Sequence, residues 1–226
     1  MDSQQLMAAV EAAFVSTGAG TPGWPNPHPG DAAPARDEYS RCLDPEKFRI
    51  LRARVDAWVI ALADCGLAET SAVGDVNQLW RSEAPSLASE RALKVRPLRS
   101  GAVPMVVGFR SVDGVADAVI DLGFGEPPVQ ITWLPECGCD ACDDGSDSIL
   151  RRLDDNVMAI VSGEMVHART SEFTVTATGS GLHASGNPPG RLGSPEEIAE
   201  VVQAARAGLL GEQAVLGAPW WPDLQH

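Results

Sequence analysis

Four β-rich segments follow one another between residues 92 and 133 with no room for a helix between any two of them. Residues 92–98, 103–109, 115–122 and 129–133 are dense in Val, Ile, Leu and Phe, and the gaps between them carry Gly, Pro and Asp-Gly turn signals. A parallel strand pair needs a crossover of about a dozen residues or more, usually a helix. These segments therefore point to an antiparallel arrangement, with Asp113-Gly114 as a hairpin turn, and a doubly wound parallel sheet is disfavoured. Residues 165–168 and 173–178 read as a second hairpin.

Helices come mostly before and after the strands. Leu6, Val10, Ala13 and Phe14 recur at helical spacing behind a cap at Asp2 or Ser3. Asp44-Pro45-Glu46 opens a second helix, with Asp44 as cap, an inner face of Phe48, Leu51, Val55, Trp58, Val59 and Leu62, and Gly66 as its stop. A third starts near Asp144 or Ser146, presents Ile149, Leu150, Leu153, Val157, Ile160 and Val161, and closes at Gly163. Ser194-Pro195-Glu196-Glu197 is a capping box for a fourth, with Ile198, Val201, Val202 and Ala205 on one face. Glycines at 179–181 and 186–190 lack the strand-to-helix context of a phosphate loop and read as turns.

Between residues 16 and 36 the chain carries five prolines and four glycines, which excludes a regular helix or central strand. The expected division is a helix and Pro/Gly-rich arm over 1–36 and a single α+β domain over 37–226. Trp24, Trp220 and Trp221 sit in Pro-rich termini. Packing of these rings on the core is the expected use, since exposing them costs free energy; left exposed, they would mark a protein partner or homodimer surface. The expected fold is α+β, a mainly antiparallel sheet covered by helices, with a Pro-rich N-terminal arm and C-terminal tail.

The 226-residue chain carries 17 Lys and Arg against 31 Asp and Glu, a net charge of −14, which repels phosphate backbones and anionic headgroups. Nucleic acid and membrane are thereby disfavoured as partners; a basic protein or a metal cation suits the charge better, and solubility alone also accounts for it. The N-terminus lacks the features of a secretory signal and no apolar run is long enough to span a bilayer, so a cytoplasmic location is expected.

The chemistry-bearing stretch is Cys137-Gly138-Cys139-Asp140-Ala141-Cys142, three of the five cysteines in six residues. Cys-x-Cys and Cys-x-x-Cys spacings let neighbouring thiolates turn toward one ion, which makes Cys137, Cys139 and Cys142 candidate zinc ligands. The fourth ligand could be Asp140, Asp143, Asp144, Cys42 or His28. Cys139 and Cys142 also form a Cys-x-x-Cys pair, the spacing of a thiol oxidoreductase with Cys139 attacking and Cys142 resolving. Glu136, Asp140, Asp143, Asp144 and Asp147, with no base among them, oppose a low-pKa thiolate and suit a divalent cation. A third reading leaves the thiols reduced and packed as small hydrophobes, with the aspartates capping the following helix. Cys65 reads as a core residue, and His28, His167 and His183 are too scattered to assemble a histidine site or a catalytic triad.

Trp24-Pro25 with Pro27-His28-Pro29, Tyr39-Ser40-Arg41 running into Pro45 and 48–51, and the cysteine loop together resemble an actinobacterial family of unknown function. The resemblance covers most of the chain. It implies a cytoplasmic protein of a GC-rich bacterium and a cysteine loop that is a family feature, and it supplies no catalytic residue, cofactor or partner. The reading that follows is a non-enzymatic binding or interaction module whose loop holds a structural zinc or is simply packed. The alternatives are a thiol-disulfide oxidoreductase and an acidic, antitoxin-like partner of a basic protein.

Overall fold

Val112 faces Val115 across Asp113 and Gly114, which both take positive φ (49° and 79°), so the expected hairpin turn forms where a short polar residue and a glycine tolerate that backbone. The turn belongs to a computed structural model that describes residues 1–30, 33–76, 79–80, 89–178, 181–187 and 191–222. β1 (Ala68–Ala72), β2 (Arg91–Pro97), β3 (Met105–Val112), β4 (Val115–Gly125) and β5 (Pro128–Leu134) form a five-stranded antiparallel sheet in chain order. β6 (Val166–Arg169), β7 (Phe173–Ala177), β8 (Leu182–Gly186) and β9 (Ala214–Leu216) form a second antiparallel sheet, in the order β8-β7-β6-β9. The protein is thus α+β as expected, with the second hairpin founding a sheet of its own. Of the glycine turns read from sequence, positions 179–180 and 188–190 lie outside the described residues.

α1 (Ser3–Thr17), α2 (Arg49–Asp64) and α3 (Ser146–Val161) cover one face of the first sheet. α1 begins with a capping box, Asp2 accepting from the Gln5 N–H while the Gln5 side chain accepts from the Asp2 N–H. Its Leu6 and Val10 are fully buried in the same core as Leu51, Val55, Trp58 and Leu62 of α2, strand residues Val107, Ile120, Leu122 and Phe124, and Ile149, Leu153 and Val157 of α3. α4 (Pro195–Arg206), with the expected Ser194 and Glu197 capping box, packs Ile198 and Ala205 on the second sheet against Val166, Phe173 and Val175.

The entry to α2 differs from expectation. Asp44 makes no cap; residues Pro45–Phe48 form a 3-10 turn that runs straight into the helix. That turn is held by its tertiary partners: Phe48 is buried in the core and Lys47 is bound to Asp143. Both Pro-rich termini dock on the body. Trp220 is buried in the main core and its backbone N–H donates to the Val161 carbonyl, while Arg99 holds the Pro219 and Trp221 carbonyls. No helix among the described residues is long and apolar enough to cross a membrane.

Among the described residues two charged ones are fully buried in the body, each surrounded by donors or acceptors. Arg54 of α2 donates to Asp154 of α3 through Nε (2.9 Å) and Nη2 (2.8 Å), and Nη2 also reaches Glu11 of α1, so one guanidinium joins three helices. Trp58 adds a 2.7 Å bond to the same aspartate. On the opposite face of the first sheet, Asp121 is 0 % exposed. Its carboxylate receives Arg110 Nε and Nη2 at 2.9 and 2.8 Å, Ser89 Oγ at 3.0 Å and Gln130 Nε2 at 2.9 Å. Gly108 lies across from Asp121 on β3, and a Cβ there would come within 2.3 Å of Ser89 Oγ, so glycine makes room for that donor. Removing one member of a buried pair leaves the other charge unpaired, at a cost of about 3–5 kcal/mol. Asp121→Ala should therefore lower the urea midpoint by an amount equivalent to about 3–5 kcal/mol, and a loss under 1 kcal/mol would show that the network carries little stability.

Candidate metal centre

The cysteine loop leaves the edge strand β5 through Pro135, and the chain turns back on itself before α3 because residues Asp140–Cys142 wind into a 3-10 turn. The Asp143 N–H closes that turn on the Asp140 carbonyl and the Cys142 N–H closes on the Cys139 carbonyl. Cys139 and Cys142 bracket the turn, and Cys137 precedes it by a glycine. Their three sulfurs lie within 4.8 Å of one another, and among the described His, Cys, Asp and Glu residues this is the group that could hold a metal ion. A zinc with about 2.3 Å Zn–S bonds in a tetrahedron places its sulfurs about 3.8 Å apart, inside that range.

All five cysteines are free. The Cys137 and Cys139 sulfurs are 3.1 Å apart, a thiol hydrogen bond well beyond the ~2.05 Å of a disulfide. That bond from Cys137 holds the Cys139 thiol below its ordinary range, whereas Cys142, donating toward Cys139 and Cys137, is pushed up to about 12. Neither Cys139 nor Cys142 sits on α3, which begins four residues after Cys142. The placement of a Cys-x-x-Cys pair on the first turn of a helix is therefore not reproduced.

What fixes the loop is the Pro-rich arm. Trp24 and Ser146 exchange bonds in both directions: the Trp24 N–H donates to Ser146 Oγ, and the Ser146 N–H and hydroxyl both donate to the Trp24 carbonyl, each at 3.0 Å. The arm passes so close to the start of α3 that a Cβ on Gly145 (φ +89°) would come within 2.7 Å of the Asn26 nitrogen, so that position requires glycine. The Trp24 indole stands edge-on to Phe48 at 5.9 Å and donates to Asp143. Asp143 also receives Lys47 Nζ at 2.6 Å and the Gly145 N–H at 2.9 Å. Burial raises the pKa of this carboxyl, but those donors outweigh it and hold the group below its ordinary value.

Asp140 is engaged as well. Its N–H donates to the Arg41 carbonyl, its carboxylate receives Arg41 Nε and the Leu43 N–H at 3.2 Å each, and its carbonyl lies 3.2 Å from His28 Nε2. Asp144 pairs with Arg152 at 3.2 Å and accepts from Ser148. The loop that reads as purely acidic in sequence is thus met by Arg41, Lys47 and Arg152 in space. Two expectations change accordingly. The three aspartates are committed to bases and backbone, and Asp143 and Asp144 do not cap α3, whose N-cap is Gly145 without a side-chain bond.

The other candidates stay apart from the thiols. Cys42 is half-buried against the main core, where burial raises its pKa, and Cys65 packs at the end of α2. His28 faces the loop backbone and Glu38, His167 bonds Thr176 within the second sheet, and His183 lies on β8. Residues that sequence reasoning passed over are Arg41, Lys47 and Arg152; their sign was legible, their distance from the loop in the chain hid their role.

No curated protein and no solved structure matches the chain. A family of unknown function, DUF6226, matches residues 10–223, which include the arm, the cysteine loop and both sheets; the chain belongs to that family.

Proposed function

We propose that Cys137, Cys139 and Cys142 hold one structural zinc ion, and that the protein works as a non-enzymatic binding module in which this centre fixes the loop and the arm against each other. The observation that carries the reading is three reduced sulfurs within 4.8 Å of one another on a loop whose backbone is already set by the arm. Zinc favours such thiolate sets, and a preset backbone spares the entropy of assembling them. Redox chemistry at Cys139 and Cys142 is the weaker reading, because neither thiol lies on the first turn of α3, where a helix N-terminus would favour a thiolate.

Protein purified without a histidine tag should carry close to one zinc per chain by plasma mass spectrometry. Ser at any one of positions 137, 139 or 142 should remove it, while Cys42→Ala and His28→Ala should retain it. Metal-free protein that reversibly loses two thiols on mild oxidation would replace this reading with the oxidoreductase.

Because zinc binds the folded loop, excess metal stabilises the native state by mass action, about 2.7 kcal/mol at a hundred-fold excess over Kd. For a chain of this size that is a rise of about 5–10 °C in Tm. Chelation should reverse the rise and speed tryptic cleavage after Arg41, which is itself bonded to Asp140 through its carbonyl and Nε, and after Arg36 just before it. An unchanged cleavage rate would separate the arm from the metal.

A further inference from the structure

The loop thiols are an all-sulfur set of three donors. Cys137 and Cys142 are exposed and Cys139 is half-buried, so a solute meets the sulfurs without opening the fold. No fourth described His, Cys, Asp or Glu joins the group: Glu136 and His28 fall outside it, and Asp140, Asp143 and Asp144 are held by Arg41, Lys47 and Arg152. Tetrahedral zinc is left one protein donor short.

The sulfur spacing adds a second constraint. Sulfurs around tetrahedral zinc stand about 3.8 Å apart, whereas those of Cys137 and Cys139 are 3.1 Å apart. An element that binds three sulfurs as a pyramid, with a lone pair in the fourth direction, holds them closer together than a tetrahedron does and asks for no fourth donor. Trivalent arsenic has that valence shape. Like the soft ions that thiolates select, it prefers sulfur to the carboxylates around the loop.

On the reading that these thiols act as one ligand set, we infer that the loop is a binding site for trivalent arsenic, taken up as arsenous acid in place of zinc. Each thiol replaces one hydroxyl: three As–O bonds break, three As–S bonds form, and each thiol proton leaves with a hydroxyl as water. Three waters are released, arsenic stays trivalent, and no oxidant or reductant takes part. Arsenous acid and its thiolate product are both uncharged, so Glu136 and the neighbouring aspartates neither attract nor repel the incoming group. The turn that carries Cys139 and Cys142 is pinned by Arg41 and the Leu43 N–H, so once two sulfurs are bound the third closes as an intramolecular step.

Zinc-loaded full-length protein is titrated with arsenite beside a zinc-indicator dye, and intact mass is read at each step. Arsenite is expected to release one zinc for each arsenic bound, and the adduct to weigh one arsenic less three hydrogens more than the metal-free chain. Cys42→Ala should respond alike. Cys142→Ser should bind arsenite about a hundred-fold or more weakly, the lower end of what a linked further contact adds, yet keep phenylarsine oxide, which needs two thiols, on Cys137 and Cys139. Zinc that stays bound, an adduct that retains a hydroxyl, or equal arsenite binding by Cys142→Ser would overturn the arsenic site and leave the zinc centre standing. Protein that takes up no zinc but gains arsenic on three sulfurs would overturn the zinc reading alone.

Discussion

The Asp143 carboxylate is the interaction on which the candidate site depends. It takes one charged donor from the entry to α2, one indole N–H from the arm and one backbone N–H from the start of α3. Three segments that are remote in sequence are thereby held at a single pair of oxygens, with the side chain only 6 % exposed. A carboxylate so buried is costly unless every lone pair finds a donor. Satisfied as it is, the group sets the position of the cysteine loop relative to the main core, and the thiols inherit that position without being buried themselves.

The same device recurs in the body. Arg54 joins α1, α2 and α3 through two carboxylates, and Asp121 gathers donors from β3, β5 and the segment before β2 on the far side of the first sheet. In each case one buried charge is surrounded by partners from several elements, which fixes the register of those elements more sharply than apolar packing can, because a displaced partner leaves a charge unmet. The apolar core supplies most of the burial, and these polar centres specify how the helices and strands face one another.

Strong periodicity made much of the fold legible in the sequence. The four long strands of the first sheet, the second hairpin and all four helices follow from alternation, helical spacing and capping residues such as Asp2, Ser194 and Glu197. β1, β8 and β9 were not visible. Glu69, Thr70 and Ser71 are exposed and carry no apolar face, β8 reads Leu-His-Ala-Ser-Gly, and β9 is three residues long. Each exists because a neighbouring strand offers an unpaired edge, and such an edge leaves no mark in the sequence of the strand that fills it. The thiol cluster was legible because its members are local. Its electrostatic setting was misread for the opposite reason: counting charges along 136–147 finds only acids, whereas the bases that meet them come from positions 41 and 47, about a hundred residues earlier, and from α3. His28 shows the limit of spacing arguments, since the arm does bring it to the loop, but onto the Asp140 carbonyl and away from sulfur.

The separation of 119 residues between Trp24 and Asp143 also sets an order of events during synthesis. At roughly 5–20 residues per second, the arm leaves the ribosome roughly 6–24 s before its counterpart on the loop has been made. Throughout that interval Trp24 lacks Asp143 and Ser146, the two residues to which it is hydrogen-bonded in the folded protein. Proline-rich composition suits such a wait, because a segment that can form neither helix nor central strand offers a growing chain few stable wrong pairings. The bonds that fix the arm to the cysteine loop and to the start of α3 thus form only after both have been made, well after the arm itself.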